Sequence, residues 1–183
     1  MWNGDVTECL DESGAEILIV LNGSPFEVDK TDQRLNLAVA RVSESGLPLV
    51  YVNLVGGQDE LVFDGGSFVL GADRQLPIQL PGFAKGQVTS NWSKSDQGWV
   101  CAPGEIAETP DDNEKMLASI YQAMVLGLRD YVNKNRFPGV ILGLSGGIDS
   151  SAVTALMAQS SADSIMACTV SFSENYLPRT LSG

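Results

Sequence analysis

The chain has 183 residues, 44% of them hydrophobic, which suffices for one sizeable domain or two small ones. Its net charge of −12 disfavours nucleic acid or an anionic membrane as a partner, so any phosphate must be bound locally by backbone N–H groups and a cation. Because the chain has no histidine, Ser-His-Asp and Cys-His catalysis are excluded.

Cysteine usage and hydropathy indicate the compartment. Cys9, Cys101 and Cys168 are an odd, scattered set that fits neither a disulfide framework nor a zinc site. No apolar run approaches the roughly 18–20 residues that a membrane helix needs, and the polar start of the chain is unlike a signal peptide. We therefore expect a cytoplasmic protein with no membrane partner.

The first 70 residues alternate between helix and strand patterns. In chain order they predict a helix, a buried strand, a helix, a second buried strand, a turn and two short strands: residues 4–13, 16–21, 31–45, 49–55, 56–59, 60–63 and 67–70. In the second helix the apolar positions recur at helical spacing, at Leu35, Ala38, Val39 and Val42. The two last strands are expected to form a hairpin-like continuation around 64–66.

Residues 85–110 have a different texture. Small and polar residues dominate without a clear period, and Trp92 and Trp99 lie among them. We interpret this stretch as an ordered connection between two domains, since the tryptophans need a surface to pack on.

The second half predicts a helix, a strand, a helix and a third buried strand, at residues 111–136, 140–144, 152–158 and 165–170. Asp111 and Glu114 have capping-box spacing at the start of the first of these helices. Its apolar residues are expected to form a core stripe: Leu117, Ile120, Tyr121, Met124, Leu128, Tyr131 and Val132. This order is typical of the start of a doubly wound α/β domain, whose ligands bind at the carboxyl ends of the strands.

The most informative segment lies between that strand and the next helix. It reads Gly143-Leu144-Ser145-Gly146-Gly147-Ile148-Asp149-Ser150. A glycine turn that leads into a helix N-terminus presents free N–H groups and a favourable dipole to an anion. Asp149 cannot bind phosphate directly, so we expect it to hold Mg²⁺ between its carboxylate and the phosphate oxygens.

The segment lacks the lysine of a Walker A loop and is not G-x-G-x-x-G. S-G-G-I-D-S instead resembles the signature of the PP-loop ATP pyrophosphatases. The resemblance implies that residues 143–150 bind ATP and the leaving pyrophosphate while AMP is transferred to a substrate. An ordinary glycine-rich strand–helix turn is the alternative.

A second resemblance covers the first half. The run from Ile19 to Phe26, followed by Lys30 and Arg34, resembles the carbon–nitrogen hydrolase (nitrilase) superfamily, as does the pattern V-N-x-V-G-x-x-x-E-x-x-F-D-G-x-S at 52–67. It implies a sandwich of two sheets flanked by helices. It also implies an amidase that releases ammonia through a Cys nucleophile with a Glu and a Lys.

An amidase joined to a PP-loop unit resembles the family of glutamine-dependent NAD⁺ synthetases. The fold class implied is α/β: the C-terminal part of a nitrilase-like αββα sandwich at 1–84, a connection at 85–110, and the start of a doubly wound NAD synthase domain at 111–183. The reaction implied is ATP-dependent amidation of deamido-NAD⁺ with ammonia from glutamine, by a homo-oligomer.

The site residues of the amidase carry over only in part. Ser24 and Lys30 match positions that line the family's glutamine site. Trp2 matches the Trp of the family's C-E-D-x-W segment, so the nucleophilic Cys is expected upstream of Met1, and the chain is expected to be a fragment. After Cys168 the run at 171–180 departs from the family's next motif, which predicts a shifted reading frame or a divergence.

Each residue also has a simpler interpretation. Asn22-Gly23-Ser24-Pro25 is good turn chemistry, and Lys30 suits a solvated helix start. Glu60 is either a buried partner or a turn residue, Asp59 and Asp64 are expected to form turns, and the cysteines are expected to be inert.

Two other functions stay open. One is a different PP-loop ligase or amidotransferase, and the other is a non-catalytic nucleotide-binding fragment.

Overall fold

A computed structural model describes residues 5–96, 98–107, 112–160 and 165–169 as a mixed α/β chain. Its helices are α1 (Asp5–Glu12), α2 (Lys30–Ser45), α3 (Asp112–Lys134) and α4 (Ile148–Ser160). Its strands are β1 (Leu18–Asn22), β2 (Leu49–Asn53), β3 (Val55–Gln58), β4 (Leu61–Asp64), β5 (Phe68–Leu70), β6 (Ile78–Gln79), β7 (Trp92–Ser95), β8 (Gly98–Cys101), β9 (Val140–Gly143) and β10 (Ile165–Cys168). None of the described helices is long and apolar enough to cross a membrane.

The first unit is a parallel strand–helix–strand crossover that extends into a sheet of order β1-β2-β5-β6. Helix α2 ends at Gly46, whose φ of 70° allows its N–H to donate to the Val42 carbonyl at 2.8 Å. Ala38 and Val42 pack on the sheet, as the helical spacing predicted. They join a core of Leu18, Ala38, Val42, Leu49, Tyr51, Phe68 and Leu70.

The opposite face of β1 is open. Ile19 and Leu21 are 68% and 78% exposed, and Val52 on β2 is also exposed. The prediction of a strand buried on both faces is therefore wrong for β1. The helices cover only one face of β1. Because side chains alternate along a strand, Leu18 and Val20 lie on the covered face, and Ile19 and Leu21 lie on the open one.

The turn predicted at residues 56–59 lies further along the chain, because residues 56–58 belong to a strand. Gly56 and Gly57 lie inside β3, which pairs antiparallel with β4, and the turn is Asp59-Glu60. Asp59 has a φ of 51° and fits its predicted role as a turn former, and Glu60 is exposed beside it. Strands β4 and β5 are not a hairpin either, because β5 pairs with β2.

The stretch at 85–110 contains a second hairpin, β7–β8, that packs on the first unit. Trp92 contacts a small cluster of Val69, Ile78 and Cys101. Hydrogen bonds from Lys94 and Trp99 to the Glu16 carboxylate lower the pKa of Glu16 and tie the hairpin to the start of β1. The tryptophans therefore have the packing surface that the sequence required.

The second unit is a parallel crossover, β9–α4–β10, with α3 packed on α4. Ser160 Oγ lies 2.7 Å from the Leu156 carbonyl of its own helix and 3.2 Å from the Val125 carbonyl of α3, so it bridges the two helices. The predicted core stripe of α3 is partly wrong: Leu117, Met124 and Tyr131 are exposed, whereas Ala123, Leu126 and Val132 are buried. β10 is also mostly exposed, not buried. The predicted cap at Asp111 lies outside the described residues, as do Trp2 and the run at 171–180.

Candidate functional site

The loop from Gly143 to Ser150 connects the end of β9 to the first turn of α4. The Leu144 N–H donates to the Cys168 carbonyl at 2.7 Å, which extends the β9–β10 pairing into the loop. Gly146 has a φ of 82°, a conformation that favours glycine. The loop therefore begins at the carboxyl ends of two parallel strands, as the sequence predicted.

Two hydroxyl groups brace the loop. The Ser145 and Ser150 Oγ atoms are 3.1 Å apart, and the Ser145 N–H donates to Ser150 Oγ at 3.3 Å. Ser150 Oγ also lies 3.2 Å from the Gly147 carbonyl, to which the Ser151 hydroxyl donates at 2.8 Å. These bonds close the loop on itself and hold its shape without a ligand.

The loop leaves room for an anion. A Cβ atom built on Gly143 or Gly146 would meet no atom within 4 Å, so open space lies against the backbone. The first turn bond of α4 runs from the Ser151 N–H to the Gly147 carbonyl at 3.2 Å. The N–H groups before Ser151 belong to the helix start, where no intrahelical acceptor exists and the dipole favours negative charge.

Asp149 is the acidic residue in the first turn of α4, and its side chain is exposed beside the loop. The described residues contain no group of three acidic, cysteine or histidine side chains that could hold a metal ion by themselves. Mg²⁺ is commonly held by one or two carboxylates together with substrate phosphates. One exposed carboxylate beside an open anion site therefore suits a cation shared with the nucleotide.

The other predicted site residues lie after β1. The Ser24 N–H donates to Asn53 Oδ1 at 2.9 Å, and Ser24 Oγ accepts from Arg34 Nε at 3.1 Å. Lys30 is the first residue of α2, and its ammonium pairs with Glu27 at 3.1 Å. Ser24 and Lys30 both line one cleft of about 1090 Å³ between α1, α2 and β1.

Arg34 holds the backbone at Ser24 and Pro25 in place. Its guanidinium donates to the Ser24 and Pro25 carbonyls, each at 2.9 Å, and to Asp64 Oδ2 at 2.9 Å. The Arg34 and Asp64 side chains are each only 7% exposed. The prediction of Asp64 as a turn former is wrong, because Asp64 ends β4 inside the protein and serves as the buried counter-ion of Arg34.

Asn53 is the second brace, and it was not singled out by the sequence. Its side-chain N–H donates to the Ser24 and Gly65 carbonyls at 3.2 and 3.1 Å, and its backbone N–H donates to Ser67 Oγ at 3.0 Å. Arg34, Asn53 and Asp64 all belong to the motifs that carry the resemblance to the carbon–nitrogen hydrolase superfamily, which was the available signal for their importance.

None of the three cysteines lies in these sites. Cys101 is buried in β8, and burial raises the pKa of its thiol, whereas Cys9 and Cys168 are exposed. A raised pKa leaves less of the reactive thiolate at pH 8. We expect iodoacetamide to alkylate Cys101 at least about tenfold more slowly than Cys9. Peptide mass spectrometry over time checks this, with the urea-unfolded chain as the control in which the rates converge. Equal rates in the folded chain would contradict the burial.

A comparison with known protein families supports the resemblance predicted for the second half of the chain. A sequence model described as NAD synthase matches residues 120–178. This range begins within α3, contains the whole loop at 143–150 and continues past Cys168, where the sequence had predicted a departure. The matched part therefore includes every residue of the candidate phosphate site.

Curated and solved relatives cover both halves. The glutamine-dependent NAD(+) synthetase of Rhodobacter capsulatus is 46% identical over 157 residues, which are 86% of this chain and 28% of that enzyme. The solved glutamine-dependent NAD+ synthetase of Acinetobacter baumannii, in complex with ADP, superimposes with a TM-score of 0.80 at 35% identity and covers 92% of this chain. A Cytophaga hutchinsonii synthetase of the same description superimposes with a TM-score of 0.57 at 27% identity, over 82% of this chain and 23% of that one.

The share of the relatives is small. The chain spans 28% of the Rhodobacter capsulatus enzyme and 31% of the Acinetobacter baumannii structure. The similarity therefore concerns a segment that contains the β1-β2-β5-β6 sheet and the β9–α4–β10 crossover.

Proposed function

Because the chain belongs to the family of glutamine-dependent NAD(+) synthetases, we propose that it contributes to ATP-dependent amidation of deamido-NAD⁺. In this reaction the nicotinate carboxylate attacks the α-phosphate of ATP, and pyrophosphate leaves. Ammonia from glutamine then attacks the acyl-adenylate, forms the amide of NAD⁺ and releases AMP. The observation that carries the proposal is the 143–150 loop, an open anion site at a helix start that lies within the match to NAD synthase.

We assign residues 143–150 to ATP and pyrophosphate, with two kinds of hydrogen-bond donor and one carboxylate for a metal ion. The N–H groups at the start of α4 face the phosphates, and the Ser145 and Ser150 hydroxyls hold the loop closed and add donors. Asp149 is the proposed metal-binding residue, and a Mg²⁺ held there would neutralise phosphate charge. The net charge of −12 makes this local arrangement necessary, because the protein as a whole repels a nucleotide.

We assign Ser24 and Lys30 to the glutamine side. Both line the cleft of about 1090 Å³, and the buried Arg34–Asp64 pair fixes the Ser24 backbone beside it. The fold proposed for residues 1–84 is the C-terminal part of an αββα sandwich, and the open face of β1 leaves room for further layers. Residues 85–110 are the proposed connection, and 111–183 begin the doubly wound domain.

The compartment and assembly are also part of the proposal. Three free thiols suit a reducing compartment such as the cytoplasm. A homo-oligomer is supported by the family resemblance alone.

The test uses a chimera in which this chain replaces the matching segment of the Rhodobacter capsulatus enzyme. With ammonium as the nitrogen source, we expect AMP, pyrophosphate and NAD⁺ in equal amounts. Asp149→Asn removes the metal-binding carboxylate and should lower the rate at limiting Mg²⁺ at least about tenfold. The exposed Asp73→Asn is the matched control.

Three outcomes separate the alternatives. Release of ADP and phosphate would overturn the assignment to pyrophosphate chemistry. Nucleotide binding without AMP formation would favour the non-catalytic interpretation. An unchanged Asp149→Asn rate would overturn the metal role.

A further inference from the structure

Helix α3 belongs to the unit that carries the 143–150 loop, which we call the phosphate side. It packs on the β3–β4 hairpin of the unit that carries Ser24 and Lys30, which we call the amide side. The contacting residues lie more than 70 positions apart in the chain. The Gly57 N–H donates to Asp130 Oδ2 at 2.9 Å, and the Lys134 ammonium donates to the Gly57 carbonyl. Lys134 Nζ also lies 3.5 Å from Asp130 Oδ2. The backbone N–H and C=O groups of Gly57 in β3 are therefore both bound by side chains of α3.

The contact is too close for ordinary side chains. A Cβ on Gly57 would lie 2.9 Å from the Gly127 Cα, and a Cβ on Gly127 would lie 3.0 Å from a Val62 methyl group. Glycine in the middle of a helix lowers helix stability. Its presence at position 127 is explained by this contact, where a strand backbone packs directly on a helix backbone.

Burial separates this contact from a surface ion pair. The Asp130 side chain is 13% exposed, whereas Lys134 is 57% exposed. Asp130 is thus the inner member, held by a backbone N–H group, and Lys134 closes the contact from outside. Arg129 Nε also lies 4.0 Å from Asp130 Oδ1. A carboxylate in such a position depends on partners of this kind, because an unpaired buried charge is costly.

The contact lies on the path to the phosphate loop. Helix α3 leads directly into β9, which carries the loop at its end, and α3 also packs on α4. The hairpin is anchored at its other end by Asp64. Asp64 is the buried partner of Arg34, and Arg34 in turn holds the Ser24 backbone in place. The same hairpin therefore contacts the elements that position both predicted sites.

We propose that Asp130 and Lys134 are positioning residues that lock the phosphate side onto the amide side through Gly57, so that the two sites keep a fixed relative position. This inference rests on the proposed function only for its catalytic consequence. If the contact at Gly57 is weakened, both units stay folded. Only the glutamine-dependent reaction is slowed, because that reaction depends on both sites. Chemistry with free ammonium depends on the phosphate side alone.

The first experiment needs no activity and uses the chain itself. We expect Asp130→Asn to accelerate hydrogen exchange at the Gly57 amide at least about tenfold, because its acceptor is weakened from a carboxylate to an amide oxygen. The amide of Val42, in the core of α2, reports on global unfolding and should keep its rate. Glu44→Gln, which removes an exposed carboxylate of α2, is the matched control. Unchanged exchange at Gly57 would overturn the lock.

The second experiment uses the chimera and a steric variant. Gly57 has no positive φ, so Gly57→Ala tests the close contact without backbone strain, and Gly86→Ala, which meets only ordinary contacts, is its control. We expect Gly57→Ala and Asp130→Asn to lower glutamine-dependent NAD⁺ formation at least about fivefold while ammonium-dependent formation stays within about twofold. Equal loss of both activities, or loss of neither, would overturn the inference. An inactive unmodified chimera would instead overturn the proposed function, and the exchange result would still decide the lock.

Discussion

Arg34→Met is expected to lower the free energy of unfolding by about 3–5 kcal/mol, because it leaves the buried Asp64 carboxylate without its counter-ion. The substitution also removes the donors to the Ser24 and Pro25 carbonyls and to Ser24 Oγ. Among the residues that the structure describes, Asp64 Oδ1 has no hydrogen-bond partner, so none of them is placed to compensate. Urea denaturation followed by circular dichroism measures the change.

Two further variants make this result specific. Arg41→Met removes the same functional group from an i,i+3 pair with the exposed Glu44, and should cost within about 1 kcal/mol. Arg34→Met combined with Asp64→Leu removes both charges and should regain part of the loss, since an apolar pair avoids the desolvation of an unpaired charge. Equal destabilisation by Arg34→Met and Arg41→Met would contradict the importance of the buried pair.

Gly65→Ala is expected to lower the free energy of unfolding by about 2–4 kcal/mol, from backbone strain and overpacking together. Gly65 has a φ of 68°, and a Cβ there would lie 2.5 Å from a Val55 methyl group. Its carbonyl accepts from Asn53, so a displaced Gly65 would also loosen the brace on Ser24. Thermal and urea unfolding of the purified chain give the value.

Gly46 provides a matched control for this second prediction. Its φ of 70° is nearly the same, but a Cβ would meet no atom within 4 Å. Gly46→Ala should therefore show the backbone strain alone, about 1–2 kcal/mol. Adding Val55→Ala to Gly65→Ala removes the clashing methyl groups, and the double-mutant cycle should give a favourable coupling. An equal loss of unfolding free energy in Gly46→Ala and Gly65→Ala would mean that the Val55 side chain moves aside without a free-energy cost.

Much of the fold and of the candidate phosphate site could be predicted from local patterns. Helix α2, its stop at Gly46 and the loop between β9 and α4 all depend on neighbouring residues: a helical apolar spacing, a glycine that accepts positive φ, and a helix start. The braces of Ser24 could not be predicted in this way, because Arg34, Asn53 and Asp64 come from three separate elements.

The wrong predictions at Gly56–Gly57 and at β1 share one physical cause: the outcome depends on which distant element packs there, and neighbouring residues do not encode that. Gly56 and Gly57 suggested a turn because glycine is common in turns, yet they lie in β3 to let α3 approach. The apolar run of β1 suggested a strand covered on both sides, but a run of residues carries no information about which layers are present.

The sequence alone therefore determined the local conformations of α2 and of the S-G-G-I-D-S loop, since these depend on backbone freedom and on groups a few residues apart. The tertiary structure alone decided that Asp64 is a buried counter-ion, that β4 pairs with β3, and that Asp130 binds Gly57. The Arg34–Asp64 and Gly57–Asp130 contacts join residues 30 and 73 positions apart. They form only when the packed core pays the entropy of bringing those segments together.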